Sequence, residues 1–318
     1  MKSPVYPLTL GLMLAVSGAF AQTAPSATVT QNGTGNQAYV DQNQAGEEAT
    51  VSIVQSGNYN MVGDPASRTG GILQHNTRRM IVAVSQQGDA NQLTLRHDEG
   101  GFFGFAYLNQ SGTGNSATLL QNGAYESTIR VEQHGERNVI EDRANDVGAV
   151  SFRPQQYGAD NVITVSRSRS GYAGLPIYQD GNGNRATVTY DDAFYSGIAI
   201  SQTGTDNEAR GSLTSTGLAT EADILQSGAG NLAITNVVGA GGALTTQTGV
   251  ANTAAINQSA GSNAATISQL GSLNTASVTQ AGPRSDTPNI AWITQVGDGF
   301  AASITQTGSG NSAGIYQH

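Results

Sequence analysis

Residues 252–280 read NTAAINQSAGSNAATISQLGSLNTASVTQ, and this stretch decides the fold. The unit N-x-A-x-[IV]-x-Q occurs here three times and closes at Gln258, Gln269 and Gln280, which are 11 residues apart. Its defining residues occupy alternate positions, which is the period of a β-strand and not of a helix. A glycine follows each glutamine within three residues, and glycine adopts positive φ in a turn without a Cβ clash. The stretch therefore predicts tandem strand–turn units.

Two such units form one rung of a larger repeat. The 11-residue step recurs between four further pairs of glutamines: Gln31 and Gln42, Gln110 and Gln121, Gln295 and Gln306, Gln306 and Gln317. Stacked strands lie ~4.8 Å apart, and roughly a dozen rungs fit into the chain. The sequence therefore predicts an all-β protein, a β-solenoid (β-helix) of ~22-residue strand–turn–strand rungs. Its strands are expected to stack parallel and in register, and to become cross-β on assembly.

Stacking in register explains why Asn and Gln can point inward. A buried primary amide without a partner costs ~1–3 kcal/mol. Identical residues at identical positions remove this cost, because each side chain donates to one neighbour and accepts from the other. The repeat predicts structural amide ladders built from these residues: Gln31, Asn36, Gln42, Gln110, Asn115, Gln121, Gln247, Asn252, Gln258, Asn263, Gln269, Asn274, Gln280, Gln306, Asn311 and Gln317.

The repeat is regular over 27–60 and 244–318 and degenerate, with insertions, over 61–243. In the centre, glutamines persist at spacings of 23 or 24, but the half-way positions become Ala144, Arg167, Tyr190, Leu213 and Val237. Insertions at 97–108 and 167–178 carry aromatic residues and charges, and we expect them to be bulges or loops that leave the solenoid. The sequence predicts one repeat domain over 22–318.

Composition argues against ordinary globular domains, nucleic-acid binding and metal centres. Hydrophobic residues make up 37% of the chain and charged residues 12%, against about 45–50% and 25% in typical soluble domains. The formal net charge is −9, and no basic patch of the kind that nucleic acid requires is present. The four histidines are scattered and cysteine is absent, so we expect no metal, disulfide or cofactor.

The N-terminus has the pattern of a secretion signal over residues 1–21. Lys2 provides the positive charge, Leu8 to Val16 form a short apolar stretch, and Ala19-Phe20-Ala21 is an A-x-A cleavage motif. Cleavage is expected between Ala21 and Gln22. The sequence therefore predicts a secreted protein whose mature chain acts outside the cell.

The residues do not form a catalytic set. Asp191-Asp192 and Glu141-Asp142 are adjacent pairs, whose side chains diverge on a strand and cannot serve one acid–base centre. No His–Asp arrangement accompanies the abundant serines in the pattern. We therefore do not expect an enzyme.

The pattern Q-x-G-x-x-N-x-A-x(3)-Q resembles the curlin repeat of bacterial curli fibres. It is present from Gln31 to Gln42, from Gln247 to Gln258, and from Gln269 to Gln280. The resemblance implies an extracellular, cell-surface amyloid fibre subunit or nucleator for adhesion and biofilm matrix. It implies as partners other copies of the chain, a second curlin-type subunit, and an outer-membrane curli secretion channel with its accessory proteins. The chain is longer than typical curli subunits, and the roles of major subunit, nucleator and accessory remain open.

Two other classes of function are compatible with a solenoid. A monomeric β-solenoid adhesin, or an ice- or glycan-binding protein, would use a flat outward Thr/Ser face. A β-helix enzyme is the third alternative. Polar end caps distinguish a monomeric solenoid from a self-assembling one, because uncapped strand edges pair with other chains.

Overall fold

The computed structural model describes twelve segments of the chain, and all regular structure in them is β-strand. The described segments are 24–43, 45–46, 48–63, 70–98, 102–123, 125, 128–149, 151–172, 174–214, 220–259, 261–282 and 287–318. The expected signal segment 1–21 and its cleavage site at Ala21 and Gln22 lie outside them. In the described part of the chain, no helix has the length and apolar character needed to cross a membrane.

The strands are short and follow one another closely along the chain. In chain order they are β1 (Ser26–Asn32), β2 (Gln37–Ala38), β3 (Val40–Asn43), β4 (Thr50–Ser56), β5 (Met61–Val62), β6 (Gly71–His75), β7 (Arg78–Asp89), β8 (Gln92–Asp98), β9 (Phe102–Thr113), β10 (Ser116–Asn122), β11 (Thr128–Glu136), β12 (Val139–Asn145), β13 (Ser151–Ala159), β14 (Val162–Ser168), β15 (Gly174–Asn182), β16 (Arg185–Asp191), β17 (Ser196–Thr205), β18 (Glu208–Thr214), β19 (Thr220–Ala229), β20 (Leu232–Val238), β21 (Gly241–Val250), β22 (Thr253–Ser259), β23 (Asn263–Ser272), β24 (Thr275–Ala281), β25 (Ile290–Val296), β26 (Ala301–Thr307) and β27 (Ser312–Gln317).

These strands stack into two parallel sheets. Sheet A has 13 strands in the order β1-β4-β7-β9-β11-β13-β15-β17-β19-β21-β23-β25-β27. Sheet B follows the order β2-β5-β8-β10-β12-β14-β16-β18-β20-β22-β24-β26, with β3 and β6 beside its first strands. The chain alternates between the sheets, so that one strand from each sheet makes a rung. The expected all-β solenoid with parallel in-register strands is confirmed, with rungs about 23 residues apart.

The core lies between the two sheets because inward positions alternate with outward ones. In β11, Ile129, Val131 and Gln133 are buried, whereas Arg130 between them is exposed. Equivalent inward positions in both sheets carry Ala, Val, Ile and Leu, which form one continuous apolar cluster along the solenoid. Each buried aliphatic side chain stabilises the fold by ~1.5–3 kcal/mol. The period of two therefore builds the core.

Two kinds of arc join the sheets. The arc from sheet A to sheet B contains Q-x-G-x-x-N in eleven rungs, the first at Gln31 and the last at Gln269. The arc from sheet B back to sheet A varies in length. In the centre it adds a narrow third parallel column of bridges, which joins Tyr125, Gly148, Gly171 and Phe194.

The expectation of loop excursions in the two aromatic insertions is wrong for most of their described residues. Residues 102–108 belong to β9, which pairs with β7 from Arg78 to Asp89. Both strands are 12 residues long, so each extension gives the other a partner for its backbone groups. In the second insertion, Gly171 takes part in the third column and β15 begins at Gly174. The additions therefore stack with the solenoid.

Candidate functional site

A glutamine ladder runs through every strand of sheet A. The side-chain Nε2 of each glutamine donates to Oε1 of the glutamine in the following rung, over 2.6–2.9 Å. Its members are Gln31, Gln55, Gln86, Gln110, Gln133, Gln156, Gln179, Gln202, Gln226, Gln247, Gln269, Gln295 and Gln317. All twelve hydrogen bonds point from one rung to the following rung, so the two ends of the ladder differ.

The ladder glutamines from Gln55 onward also donate to backbone oxygens where the arcs from sheet A to sheet B end, and five of them bind the arc of their own rung as well. Nε2 of Gln133 donates to the backbone oxygen of Asn138 in its own rung at 3.0 Å and to that of Ser116 in the preceding rung at 3.1 Å. The side chain is fully buried. The nitrogen and the oxygen of its amide group nevertheless both have partners, since Oε1 accepts from Gln110. Burial of this polar group therefore carries no unsatisfied donor or acceptor.

A second ladder, made of asparagines, lies in the arcs from sheet A to sheet B. Its side-chain hydrogen bonds point the opposite way, from each asparagine to the one in the preceding rung. In the rung of Asn138, Nδ2 donates to Oδ1 of Asn115 in the preceding rung at 3.0 Å. The same nitrogen lies 2.9 Å from the backbone oxygen of Gly158 in the next rung and 3.3 Å from that of His134 in its own. One side chain thus connects three rungs. The members are Asn36, Asn60, Asn91, Asn115, Asn138, Asn161, Asn184, Asn207, Asn231, Asn252 and Asn274.

The glycine of Q-x-G-x-x-N lies where the rungs approach each other most closely. Gly135 has a φ of 112°, a region that strains any residue with a Cβ. A Cβ at this position would also overlap the carbonyl oxygen of Gly158 in the next rung. That oxygen is the acceptor for Asn138, so the glycine and asparagine requirements are coupled.

The equivalent glutamine column of sheet B is interrupted. At one end Gln42 donates to Gln74 over 2.8 Å, and Nδ1 of His97 lies 3.1 Å from Oε1 of Gln121. At the other end, glutamines 258, 280 and 306 form a ladder with bonds of 2.9 and 2.8 Å. Between them the column contains Ala144, Arg167, Tyr190, Leu213 and Val237. As a result Gln258 Oε1 is buried without a hydrogen-bond partner.

A buried ion pair occupies this interruption. Nε of Arg167 donates to Oδ1 of Asp142 at 3.1 Å, and the terminal guanidinium nitrogen contacts Oδ2. Both side chains are at most 1% exposed. Burial raises the pKa of the Asp142 carboxyl above its ordinary value, while Arg167 and Gln121 act in the opposite direction. On the next rung the Tyr190 hydroxyl accepts from the backbone N–H of Ile198 at 2.7 Å.

The sixteen residues expected to form ladders fall into four columns. Gln31, Gln110, Gln247, Gln269 and Gln317 lie in the ladder of sheet A. Gln42, Gln121, Gln258, Gln280 and Gln306 lie in the column of sheet B. Asn36, Asn115, Asn252 and Asn274 belong to the long asparagine ladder, whereas Asn263 and Asn311 join a short one through Asn289.

Sequence reasoning identified the persistent glutamines of the central rungs but left out members of the asparagine ladder there. Asn138, Asn161 and Asn184 are examples, and each is fully buried. Each follows a glutamine by five residues with a glycine in between. This arc motif, rather than the complete strand pattern, would have found them.

The ladders end at the two edges of the solenoid, where a further strand could pair. In the described part of the chain, no cluster of three or more His, Asp or Glu side chains could hold a metal ion. At the edge formed by β1 and β3, Gln42 Oε1 is buried without a partner. At the opposite edge, Nε2 of Gln317 donates only to the backbone oxygen of Ala301, at 3.2 Å. The glutamine columns therefore end in an open acceptor at the first edge and in a donor at the other.

A family model of the curlin associated repeat matches residues 26–57, 242–271 and 249–282. The chain carries curlin repeats. The matches begin at β1 and at β21, in the two regions where the strand pattern is regular. No curated protein matches the chain. The matches to this repeat and the β-solenoid fold favour a structural protein.

Proposed function

We propose that this chain is an exported subunit or nucleator of a curli-like extracellular amyloid fibre, which serves adhesion and the biofilm matrix. The curlin repeats support the fibre class, and the signal pattern over residues 1–21 supports export. By the same family likeness, its partners are other copies of itself, a second curlin-type subunit, and the outer-membrane curli secretion channel with its accessory proteins.

The observation that carries the proposal is the direction of the sheet A ladder. Gln31 donates to Gln55 and keeps Oε1 as an acceptor, whereas Gln295 donates to Gln317 and leaves the Gln317 amide as a donor. A second copy stacked on the edge strand β27 would continue the backbone ladder and the glutamine ladder together. The same stacking would supply a donor to Gln42 Oε1. Growth is therefore head to tail, with one polarity along the fibre.

The direct test uses the purified mature chain, residues 22–318. We expect a lag followed by fibre formation, removal of the lag by preformed seeds, and a meridional reflection near ~4.8 Å in fibre diffraction. Seeds that grow at a faster end in single-fibre microscopy would support the polar arrangement. A chain that stays monomeric for days at tens of micromolar, with and without seeds, would contradict the proposal and favour a monomeric solenoid adhesin.

A further inference from the structure

The ladders of this solenoid do not by themselves specify which rung stacks on which. Gln133, Gln156 and Gln179 occupy the same column, and their arcs carry the same glycine and asparagine positions. A shift by a whole rung would keep these contacts, because each ladder residue would meet an identical one. Something else must select the native order in the central rungs.

The Asp142–Arg167 pair is a charged feature that distinguishes two neighbouring central rungs from the others described. Asp142 lies in a column whose neighbours are Leu119 and Val165. Arg167 lies in the column that holds Gln121 and, one rung closer, Ala144. Because alanine ends at Cβ, position 144 has no long side chain to compete with Arg167 for the space beside Asp142. In the described chain, this is the one ion pair with both side chains buried.

The surroundings of the pair complete its geometry. Gln121 donates a side-chain hydrogen bond to the Asp142 carboxylate from the rung before. The Arg167 guanidinium lies over the ring of Phe152, 5.1 Å from its centroid. Phe152 belongs to sheet A, so the pair is held from both sheets. A carboxylate and a guanidinium placed this way satisfy each other only when β14 stacks directly on β12.

We propose that the Asp142–Arg167 pair is a register lock for the central rungs. In the native order the two charges are matched. Any other neighbour would leave one charge buried against an apolar or amide side chain, which is a far greater penalty than the loss of one ladder bond. Stacking on its own copy is excluded for the same reason, because carboxylate would meet carboxylate at ~4.8 Å. The lock acts within one chain and does not depend on fibre formation.

The chain offers a clean test because it contains no cysteine. The outward residues Leu120, Arg143 and Ser166 occupy one column on β10, β12 and β14. In the R143C/S166C variant the two Cα atoms are ~4.8 Å apart, which a disulfide can bridge. In L120C/S166C they are two rungs, or ~9.6 Å, apart, which is too far. The first pair reports the native order and the second reports a slip by one rung.

Each cysteine pair would be introduced separately into the soluble monomeric chain, either with the Asp142–Arg167 pair or without it, and then oxidised. The lock is removed by D142L/R167Q, which introduces the residue types that the same columns already hold at Leu119, one rung before position 142, and at Gln121, two rungs before position 167. We expect the slipped L120C/S166C product to rise on the order of a hundredfold over the wild-type background.

Equal amounts of slipped product with and without the lock, together with an intact native cross-link, would overturn the proposal. If D142L/R167Q forms neither product, it has not folded, and Asp142→Asn becomes the deciding variant because it keeps the shape and removes the charge. Slipped product from D142N above the wild-type level supports the lock. No increase refutes it. In either case the result is independent of whether the chain forms fibres.

Discussion

Sheet A and sheet B are built from the same repeat, yet sheet A has a glutamine in each of its 13 strands and sheet B loses its glutamines in the centre. The arcs explain the difference. The sheet A glutamines from Gln55 onward bind a backbone oxygen at the first residue of a sheet B strand, where the arc of the preceding rung ends, as Gln202 binds the oxygen of Arg185 at 3.1 Å. The arcs after sheet B vary in length. Where the repeat is regular, glutamines 258, 280 and 306 bind an equivalent column of backbone oxygens, those of Gly242, Ala264 and Ile290. A ladder residue is therefore retained where it serves both the stack and the turn.

The largest expected effect comes from exchanging a glycine in the arc after sheet A. Gly135→Ala forces a Cβ into a φ of 112° and against the Gly158 carbonyl. We expect a loss of about 3 kcal/mol in the free energy of unfolding, measured by denaturant titration of the soluble chain. Gly148→Ala, in the arc after sheet B, is the matched control, because a Cβ there meets nothing within 4 Å. Equal losses in the two variants would mean that the arcs do not differ.

A smaller effect is expected inside the sheet A ladder. Gln269→Ala removes the donor to Gln295 and the acceptor of Gln247, both at 2.9 Å. The buried Gln295 Oε1 then loses its donor and Gln247 Nε2 keeps only the backbone oxygen of Leu232, which predicts a loss of about 2 kcal/mol and slower assembly. Ser268→Ala, on the outward side of the same strand, should change stability by less than ~0.5 kcal/mol. If the serine variant is affected as strongly, the inward phase of β23 is not what controls assembly.

The interruption in sheet B allows the opposite experiment, in which a glutamine is restored. Val237→Gln places an amide one rung before Gln258, whose Oε1 is buried without a partner. Leu213→Gln inserts the same amide between Tyr190 and Val237, where the neighbouring side chains offer no ladder amide. We expect V237Q to be more stable than L213Q by about 2 kcal/mol, since only the former satisfies an existing acceptor. Thermal unfolding of the two variants decides, and equal stabilities would contradict a ladder role in sheet B.

The smallest effect concerns the outward face of sheet A. Burial and the neighbouring Glu221 raise the pKa of Asp223 above its ordinary value of 3.8. A carboxyl with a raised folded-state pKa stabilises the fold below its unfolded pKa and loses this contribution as the pH rises through the folded value. Stability should therefore fall by a small amount as the pH rises from the unfolded-state pKa through the folded-state pKa of Asp223, and Asp223→Asn should remove this fall. A pH profile unchanged by D223N would assign the dependence to other groups.

Much of the architecture could be predicted because it is local. The alternation around Gln258 and Gln269 predicts strands, and the 11-residue step predicts their stacking. The central ladder residues are also predictable, but from the arc motif that ends at Asn138 and its equivalents. The extended pairing of β7 with β9 was not predictable. This pairing requires both strands to be extended to the same length, and the sequence of either strand does not reveal the length of the other.

The sequence by itself determined which residues of each strand point inward and the period of the repeat. Inward Gln and Asn, the turn glycines and the aliphatic core positions all follow from backbone geometry within a single unit of 11 residues, so they can be read without knowledge of the neighbours. What only the tertiary structure decided is which side chains meet across rungs. Asp142 and Arg167 are 25 residues apart and look like ordinary surface charges in the sequence. Their burial depends on Ala144, Gln121 and Phe152, because the stability of a buried charge is set by all of its neighbours and not by its own strand.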